Sequence, residues 1–332
     1  MSLSTHKEKL IKLRSRGVFG AKNLMDEKRP STPLISVGIP TYNRPDGLHR
    51  TLECITRQTY QNLEIIISDN CSPSNFTERV VQEFKRNDAR IRSFRQKKNH
   101  GSMFNFKFVL EKATGEFFMW AADDDEWEPD FIEKCSVPLQ NSYKNYEAVI
   151  TEAQYFVGKH RFEFFREGEP FYSFYSNNKI QRLKFMLKNN YGNLFYSLFR
   201  RKSLFQNGQN LFDLIKIQSL NEIFVFLFVI QRGNWKLLPE VGFYKQATKA
   251  IYEGAKWEKM GGKLPNSGSL SFYLGLSSSF LYHINAIKAI NQIIKILQIS
   301  KFQRATLKVL NLCYMIKHIC DLILRKKDSK KN

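Results

Sequence analysis

Three short apolar runs, each stopping abruptly at polar side chains, dominate the pattern of the first 150 residues. Residues 34–39, with Leu34, Ile35, Val37 and Ile39, lead into Pro40, Thr41, Tyr42 and Asn43. Residues 63–68 lead into Asp69 and Asn70, and residues 117–122 run into Asp123, Asp124 and Asp125. Runs this short, rich in β-branched or aromatic residues and bounded by turn formers, predict strands buried on both faces. The stretches between them carry helical spacing instead. Residues 45–59 put Leu48, Leu52 and Ile55 on one stripe, residues 75–87 do so with Val80, Val81 and Phe84, and residues 102–114 with Phe104, Phe108 and Val109. The order strand, helix, strand, helix, strand, helix, strand predicts an α/β fold with an open parallel sheet and right-handed crossovers; residues 146–150 read as a further strand. Ligands of such sheets bind outside the carboxyl ends of the strands, where Thr41, Tyr42, Asn43, Asp69 and the three aspartates all fall.

Three consecutive carboxylates at a strand end repel one another and raise one another's pKa, and a hard divalent cation bound through oxygen relieves the repulsion. Mg²⁺ or Mn²⁺ suits such donors. Zinc does not, because no His or Cys lies nearby in sequence. A plainer reading stands beside this one: Asp125 just precedes Glu126, Glu128 and Pro129, so the run also suits an acidic loop or the start of a helix.

At these residues the chain resembles the family 2 inverting glycosyltransferases of bacterial surface-polysaccharide type. Four parts carry the likeness, in order: residues 39–44 (Ile-Pro-Thr-Tyr-Asn-Arg), 66–72 (Ile-Ile-Ser-Asp-Asn-Cys-Ser), 99–105 (Asn-His-Gly-Ser-Met-Phe-Asn), and 115–117 continuing through 123–129 (Asp-Asp-Asp-Glu-Trp-Glu-Pro). The resemblance implies a GT-A nucleotide-diphospho-sugar-binding fold with a mixed, mostly parallel sheet and a C-terminal helical extension. It implies that Pro40, Thr41, Tyr42 and Asn43 line the base and ribose pocket, that Asp69 accepts a hydrogen bond from the base, and that Asn99, Gly101 and Asn105 shape the loop and helix start beneath the nucleotide. For Tyr42 and Asp69 the alternatives are a core tyrosine and a turn aspartate. With Trp127 and Pro129 held in register, the first Asp of the family's Asp-x-Asp pattern falls on Ala122. Asp124 then becomes the expected Mn²⁺ or Mg²⁺ ligand, with Asp125 as a second candidate, and Asp123 and Asp125 otherwise contact the sugar or ribose or hold water on the ion. Inversion also needs a base for the acceptor hydroxyl. The resemblance implies an acidic residue in that role ahead of an apolar helix ending in Arg-Gly; counted back from Gly233, Glu222 holds that position, with Asp213 as the other candidate, and Glu222 also suits dipole stabilisation at a helix N-terminus. The implied partners are a nucleotide-diphosphate sugar, UDP favoured, and a hydroxyl of a lipid-linked or surface-glycan acceptor. A non-catalytic relative that binds nucleotide sugar or glycolipid is the alternative.

Composition narrows the setting. The 332 residues are 42% hydrophobic, enough for one α/β domain with an elaborated second half. Five cysteines, an odd count without metal spacing, predict reduced thiols in the cytoplasm. The basic first thirty residues lack the apolar segment of a signal peptide, and the longest apolar run, residues 223–230, is too short to span a bilayer.

The formal net charge is +21, concentrated at the ends: +5 over residues 1–30 and +7 over residues 301–332. No nucleic-acid-binding signature accompanies it, so nucleic acid is not the expected partner. Ile284, Ile287, Ile290, Ile294 and Leu297 recur at helical spacing, apolar residues return over 305–324, and lysines follow. A basic amphipathic pair of this kind suits peripheral attachment to the anionic inner face of the plasma membrane; the alternative is that the stripes pack on the catalytic domain. The divisions expected are a basic lead-in over 1–33, a nucleotide-sugar half over 34–150, an acceptor half over 151–250, and a loop with basic amphipathic helices over 251–332. A mobile loop over the site is expected at 245–279, and the aromatic clusters at 162–165 and 171–175 are either sugar-stacking surfaces or core.

Overall fold

The computed structural model describes residues 32–141, 145–162, 175–188, 192–214 and 222–248, and further on 291, 294–295, 300–301 and 303–308. Residues 1–32 form a separate unit in which only residue 32 is described, so everything below concerns the unit from residue 33 onward.

The first half alternates strand and helix as the apolar pattern predicts. Strands β1 (Ile35–Thr41) and β2 (Leu63–Asp69) are buried at every position, and β4 (Phe117–Trp120) likewise, which is why they read as unbroken apolar runs. Helix α1 (Pro45–Thr56) starts on a proline whose missing N–H costs a first turn nothing, and buries Leu48, Leu52 and Ile55. Helices α2 (Phe76–Asn87) and α3 (Ser102–Lys112) follow, the latter burying Asn105, Val109 and Leu110. The third strand, β3 (Ile91–Arg95), buries only Ile91, so as a sheet edge it leaves no apolar run to read.

Beyond β4 come β5 (Glu126–Trp127), α4 (Phe131–Gln140), the long β6 (Tyr146–Val157), β7 (His160–Phe162), α5 (Lys179–Lys188), β8 (Leu198–Arg200), β9 (Phe205–Gln206) and β10 (Gln209–Asn210). The short α6 (Leu211–Leu214), α7 (Glu222–Ile230) and β11 (Asn234–Gln246) follow, and two 3-10 turns, Gly192–Tyr196 and Arg201–Leu204, flank β8. One sheet runs β3-β2-β1-β4-β8-β6-β11-β5, with β7 on β6. It is mixed but mostly parallel: β1 is parallel to β2 and β4, β6 to β11, while β8 is antiparallel to both β4 and β6. The expected division at residue 150 falls inside β6, so the two halves share a continuous sheet.

The core gathers around Trp120, stacked on Phe195 at 4.6 Å between ring centres and met edge-on by Phe118 and Phe199. Helix α7 enters it with residues 225–230 all buried, and Arg182 closes its C-terminus by donating from Nε to Ile230 O (2.7 Å) and from Nη2 to Gln231 O (2.9 Å). Of the C-terminal stripes, Ile294 and Leu307 are described and lie in this same core. Ala305 is exposed; the other apolar residues of those stripes, residues 163–174 of the aromatic clusters, and residues 249–279 of the expected loop lie outside the described residues. Among the described residues no helix is long and apolar enough to cross a membrane.

Candidate active site

The register β1 to β2 sets Thr41 beside Asp69, and β4 ends level with Gly38, so the carboxyl ends of three neighbouring strands lie together at one edge of the sheet. Residues 121–125 continue from β4 across the end of β1 and are clamped there by α1. Gly47 makes the clamp possible: a Cβ at that position would stand 2.4 Å from Asp123 O. One turn on, Thr51 Oγ1 lies 3.0 Å from both Ala122 O and Asp125 O and shares its proton between them.

Held this way, the three carboxylates diverge. Asp123 turns to β1 and accepts from Thr41 Oγ1 at 2.7 Å and Tyr42 N at 3.4 Å. Burial pushes its pKa up to about 6, with Asp124 adding to the rise and the Thr41 hydroxyl opposing it. Asp124 is partly exposed and paired with the Arg44 guanidinium, which also lies 3.5 Å from Asp123. Asp125 turns the other way: Oδ1 accepts from Gln246 N at 2.8 Å, and Oδ2 is walled off with no hydrogen bond. Burial raises its pKa to about 7 against the pull of Lys245.

On the β2 side, Asp69 Oδ1 accepts from Ser72 N (3.0 Å) and Ser72 Oγ (2.5 Å), which fixes the carboxylate. Its Oδ2 is buried with no hydrogen-bond partner, 3.7 Å from Arg95 Nε. Tyr42, 43% exposed, stands at the neighbouring strand end, so an aromatic face and a fixed carboxylate belong to adjacent strands. Pro40 is buried in β1, whereas Asn43 takes a left-handed φ of 55° and donates its N–H to Ser72 Oγ at 2.8 Å.

The floor is a chain of amides. Asn70 Nδ2 donates to Asn99 Oδ1 (2.9 Å) and Gly101 O (3.1 Å), and Asn99 Oδ1 also receives Gly101 N at 2.8 Å. Gly101 sits at a φ of 84°, open to glycine and strained for other residues. Asn105, on the first turn of α3, donates to Thr41 O (3.2 Å) and Ser68 O (2.9 Å), stitching the ends of β1 and β2 from below.

The two candidates for the base lie in different surroundings. Glu222 heads α7, half-buried, and acts electrostatically on Lys245 and on the buried Tyr196, as Asp124 and Asp125 also do. Asp213 is instead engaged by Lys107 Nζ on α3, and that bond holds the Lys107 pKa above its usual value. Four contributors escaped the sequence reading: Gly47, Thr51, Tyr196 and Lys245. Gly47 carried a signal, a glycine inside the first turn of a predicted helix. Lys245 carried none, since β11 brings it to the aspartates from 120 residues away.

As a metal site the arrangement offers oxygen donors only. Among the described residues no group of three His, Cys, Asp or Glu side chains is set to hold an ion by itself. Asp124 is the accessible carboxylate, and the Arg44 guanidinium supplies the positive charge beside it. That fits an ion such as Mg²⁺, which takes one or two protein carboxylates and completes its shell with phosphate oxygens and water.

Comparison with known proteins agrees with this geometry. The profile described as Glycosyl transferase family 2 matches residues 36–206, just over half of the chain. A Bacillus subtilis glycosyltransferase provisionally assigned to teichuronic acid biosynthesis is 32% identical over 102 residues, 31% of this chain and 40% of its own. The GalNAc(5)-diNAcBac-PP-undecaprenol beta-1,3-glucosyltransferase of Campylobacter jejuni is 40% identical over 95 residues, 28% of this chain and 30% of its own. These matches span well under half of the relatives' lengths. In fold, the chain superposes on the crystal structure of S. aureus TarS 1-349 in complex with UDP-GlcNAc with a TM-score of 0.56, over 84% of this chain and 71% of that one, at 14% identity. With the strand ends, the aspartate loop and the family match in agreement, the chain belongs to glycosyl transferase family 2.

Proposed function

We propose that this chain is a metal-dependent inverting glycosyltransferase that moves a sugar from a nucleoside diphosphate to a hydroxyl of a lipid-linked or surface-glycan acceptor, on the inner face of the membrane. The feature that carries the donor half is the Asp69 carboxylate, fixed by Ser72 at the strand end next to the exposed Tyr42 ring. An aromatic face stacks on a nucleobase, and a fixed carboxylate oxygen selects a base whose edge presents a ring N–H. Uracil, thymine and guanine present one; cytosine and adenine do not. UDP is the favoured carrier, in keeping with the UDP-GlcNAc bound in the TarS structure of the same fold.

Toward the diphosphate, Asp124 would hold Mn²⁺ or Mg²⁺, with Arg44 yielding its place to the ion. When bound, that ion neutralises charge on the diphosphate as its bond to the anomeric carbon breaks. Asp123, steadied by Thr41, faces the ribose and sugar. Glu222 takes the proton from the acceptor oxygen as that oxygen forms its bond to the anomeric carbon, and the nucleoside diphosphate leaves from the opposite face. The direct displacement accounts for inversion. Similarity to relatives named for teichuronic acid and undecaprenol-linked glycan synthesis supports the acceptor class.

A thermal-shift series with UDP, GDP, dTDP and CDP, each with Mn²⁺, tests the reading. UDP is expected to raise the melting temperature, CDP to leave it unchanged, and Asp69→Asn to abolish the distinction. No stabilisation by any of the four overturns it.

A further inference from the structure

The accessible carboxylate of the aspartate loop, Asp124, already holds a cation: the Arg44 guanidinium. The backbone on either side of Arg44 is pinned. Asn43, at its left-handed φ of 55°, is tied through its N–H to Ser72 Oγ at 2.8 Å, and Arg44 O accepts from Leu48 N at 2.9 Å as α1 begins. Arg44 is thus the N-cap residue of α1, yet its side chain makes no capping hydrogen bond. It extends instead to the aspartates, bonded from Nη1 to Asp124 Oδ2 and 3.5 Å from Asp123 Oδ1. That side chain is 55% exposed, whereas the two carboxylates it meets are much less so. The fixed end is the backbone, and the end free to move is the cation.

Asp124 Oδ2 cannot serve the guanidinium and a divalent ion together. An ion arriving alone has to break the pair, and a pair with so exposed a partner is weak enough to break. The freed guanidinium stays tethered at the end of β1, beside the same carboxylates. Its planar fork matches two oxygens of a phosphate, and such pairs are among the stronger hydrogen bonds. The other arginine close by is committed elsewhere: Arg50 Nη2 donates to Gln246 Oε1 at 3.2 Å, and its Nε lies 3.8 Å from Glu126.

We propose that Arg44 is a diphosphate-binding residue that holds Asp124 until the donor arrives, and then passes from the aspartates to the phosphates as the ion takes its place. This rests on the functional reading above and adds to it a coupling between ion and nucleotide. The ion frees the guanidinium that the diphosphate needs, and the diphosphate removes the cation that competes with the ion, so each strengthens the other's binding.

Mn²⁺ binding followed by paramagnetic resonance, with and without UDP, and calorimetric titration of UDP in saturating Mn²⁺ test this on the full chain. Arg44→Gln is expected to bind Mn²⁺ alone about three- to fivefold more tightly than wild type, because the competing exposed pair is gone. The same variant is expected to bind UDP in Mn²⁺ about tenfold or more weakly, because a charge-assisted bond is lost. Arg44→Lys keeps the charge without the fork; it is expected to bind Mn²⁺ alone as wild type does and to recover only part of the UDP affinity. Arg50→Gln removes an equal charge from α1 and is expected to change either affinity by no more than about twofold. Arg44→Gln with wild-type affinity for Mn²⁺ alone, or with wild-type affinity for UDP in Mn²⁺, overturns the proposal. Equal effects from Arg50→Gln overturn it as well, since overall charge would then be the cause. A wild-type protein that binds no UDP in Mn²⁺ overturns the functional reading instead, and this proposal with it.

Discussion

Asp123 and Asp125 store an electrostatic cost that pH exposes. Their folded pKa values, about 6 and about 7, lie above the carboxylate range of an unfolded chain, so between roughly pH 4 and pH 7 the folded protein holds more protons. Stability of the ion-free protein therefore falls as pH rises through that window. Asp125→Asn, which keeps an oxygen for Gln246 N, is expected to be more stable than wild type by about 1–3 kcal/mol at pH 8 in EDTA and close to wild type at pH 4. Urea denaturation at the two pH values checks this; an equal advantage at both would show that burial of Asp125 is not the cause. The residues legible in the sequence, such as Thr41, Asp69 and the aspartate run, are those at the ends of apolar strands, where the change from apolar to polar is itself the signal. Arg44, quoted in the motif, acquires its pairing with Asp124 only through folding, because 80 residues separate them. Lys245 and Tyr196 were illegible for the same reason, compounded by a pairing of β5 with β11 that is only two residues long.

Between elements, contact of α1 with the aspartate loop decides where the carboxylates stand. Gly47→Ala would drive a methyl group to 2.4 Å from Asp123 O, and backbone cannot yield as a flexible side chain does. The expected outcome is a stability loss of about 1–3 kcal/mol with at least tenfold weaker UDP binding in Mn²⁺, read by urea denaturation and calorimetric titration. A variant that unfolds more easily but binds UDP normally would separate the clamp from the site. Helices α1, α2 and α3 were predicted to within a few residues because their apolar stripes are regular. Helix α3 stops at Lys112, two residues short of the expected end, since Thr114 and Gly115 turn their N–H groups to the buried Glu64 at 2.6 and 3.2 Å. Strands β5, β8, β9 and β10 have two or three residues each, too few to establish a period against their surroundings.

For the whole molecule, the charge of +21 gives the proposed membrane partner its test. Vesicles with 30% phosphatidylglycerol are expected to sediment the protein at 50 mM salt and release it by 500 mM, while phosphatidylcholine vesicles retain little at either, with both salt values on the order of the screening range. Retention indifferent to salt and lipid charge would remove the membrane from the reading. Ile294 and Leu307 are spoken for by the core, so the attraction falls to the lysines and arginines rather than to those apolar positions. The overall α/β class was legible because alternation of strand and helix is a local property repeated several times; the order of the strands across the sheet was not. Strand β8 shows what that order entails. It fills the gap between β4 and β6, yet it lies about forty residues beyond the end of β6. During synthesis the edge of β4 therefore waits, unpaired, until residue 200 has emerged, and β5 waits longer for residue 244. A nascent chain halted near residue 150 would present those strand edges unpaired, open to association with other chains.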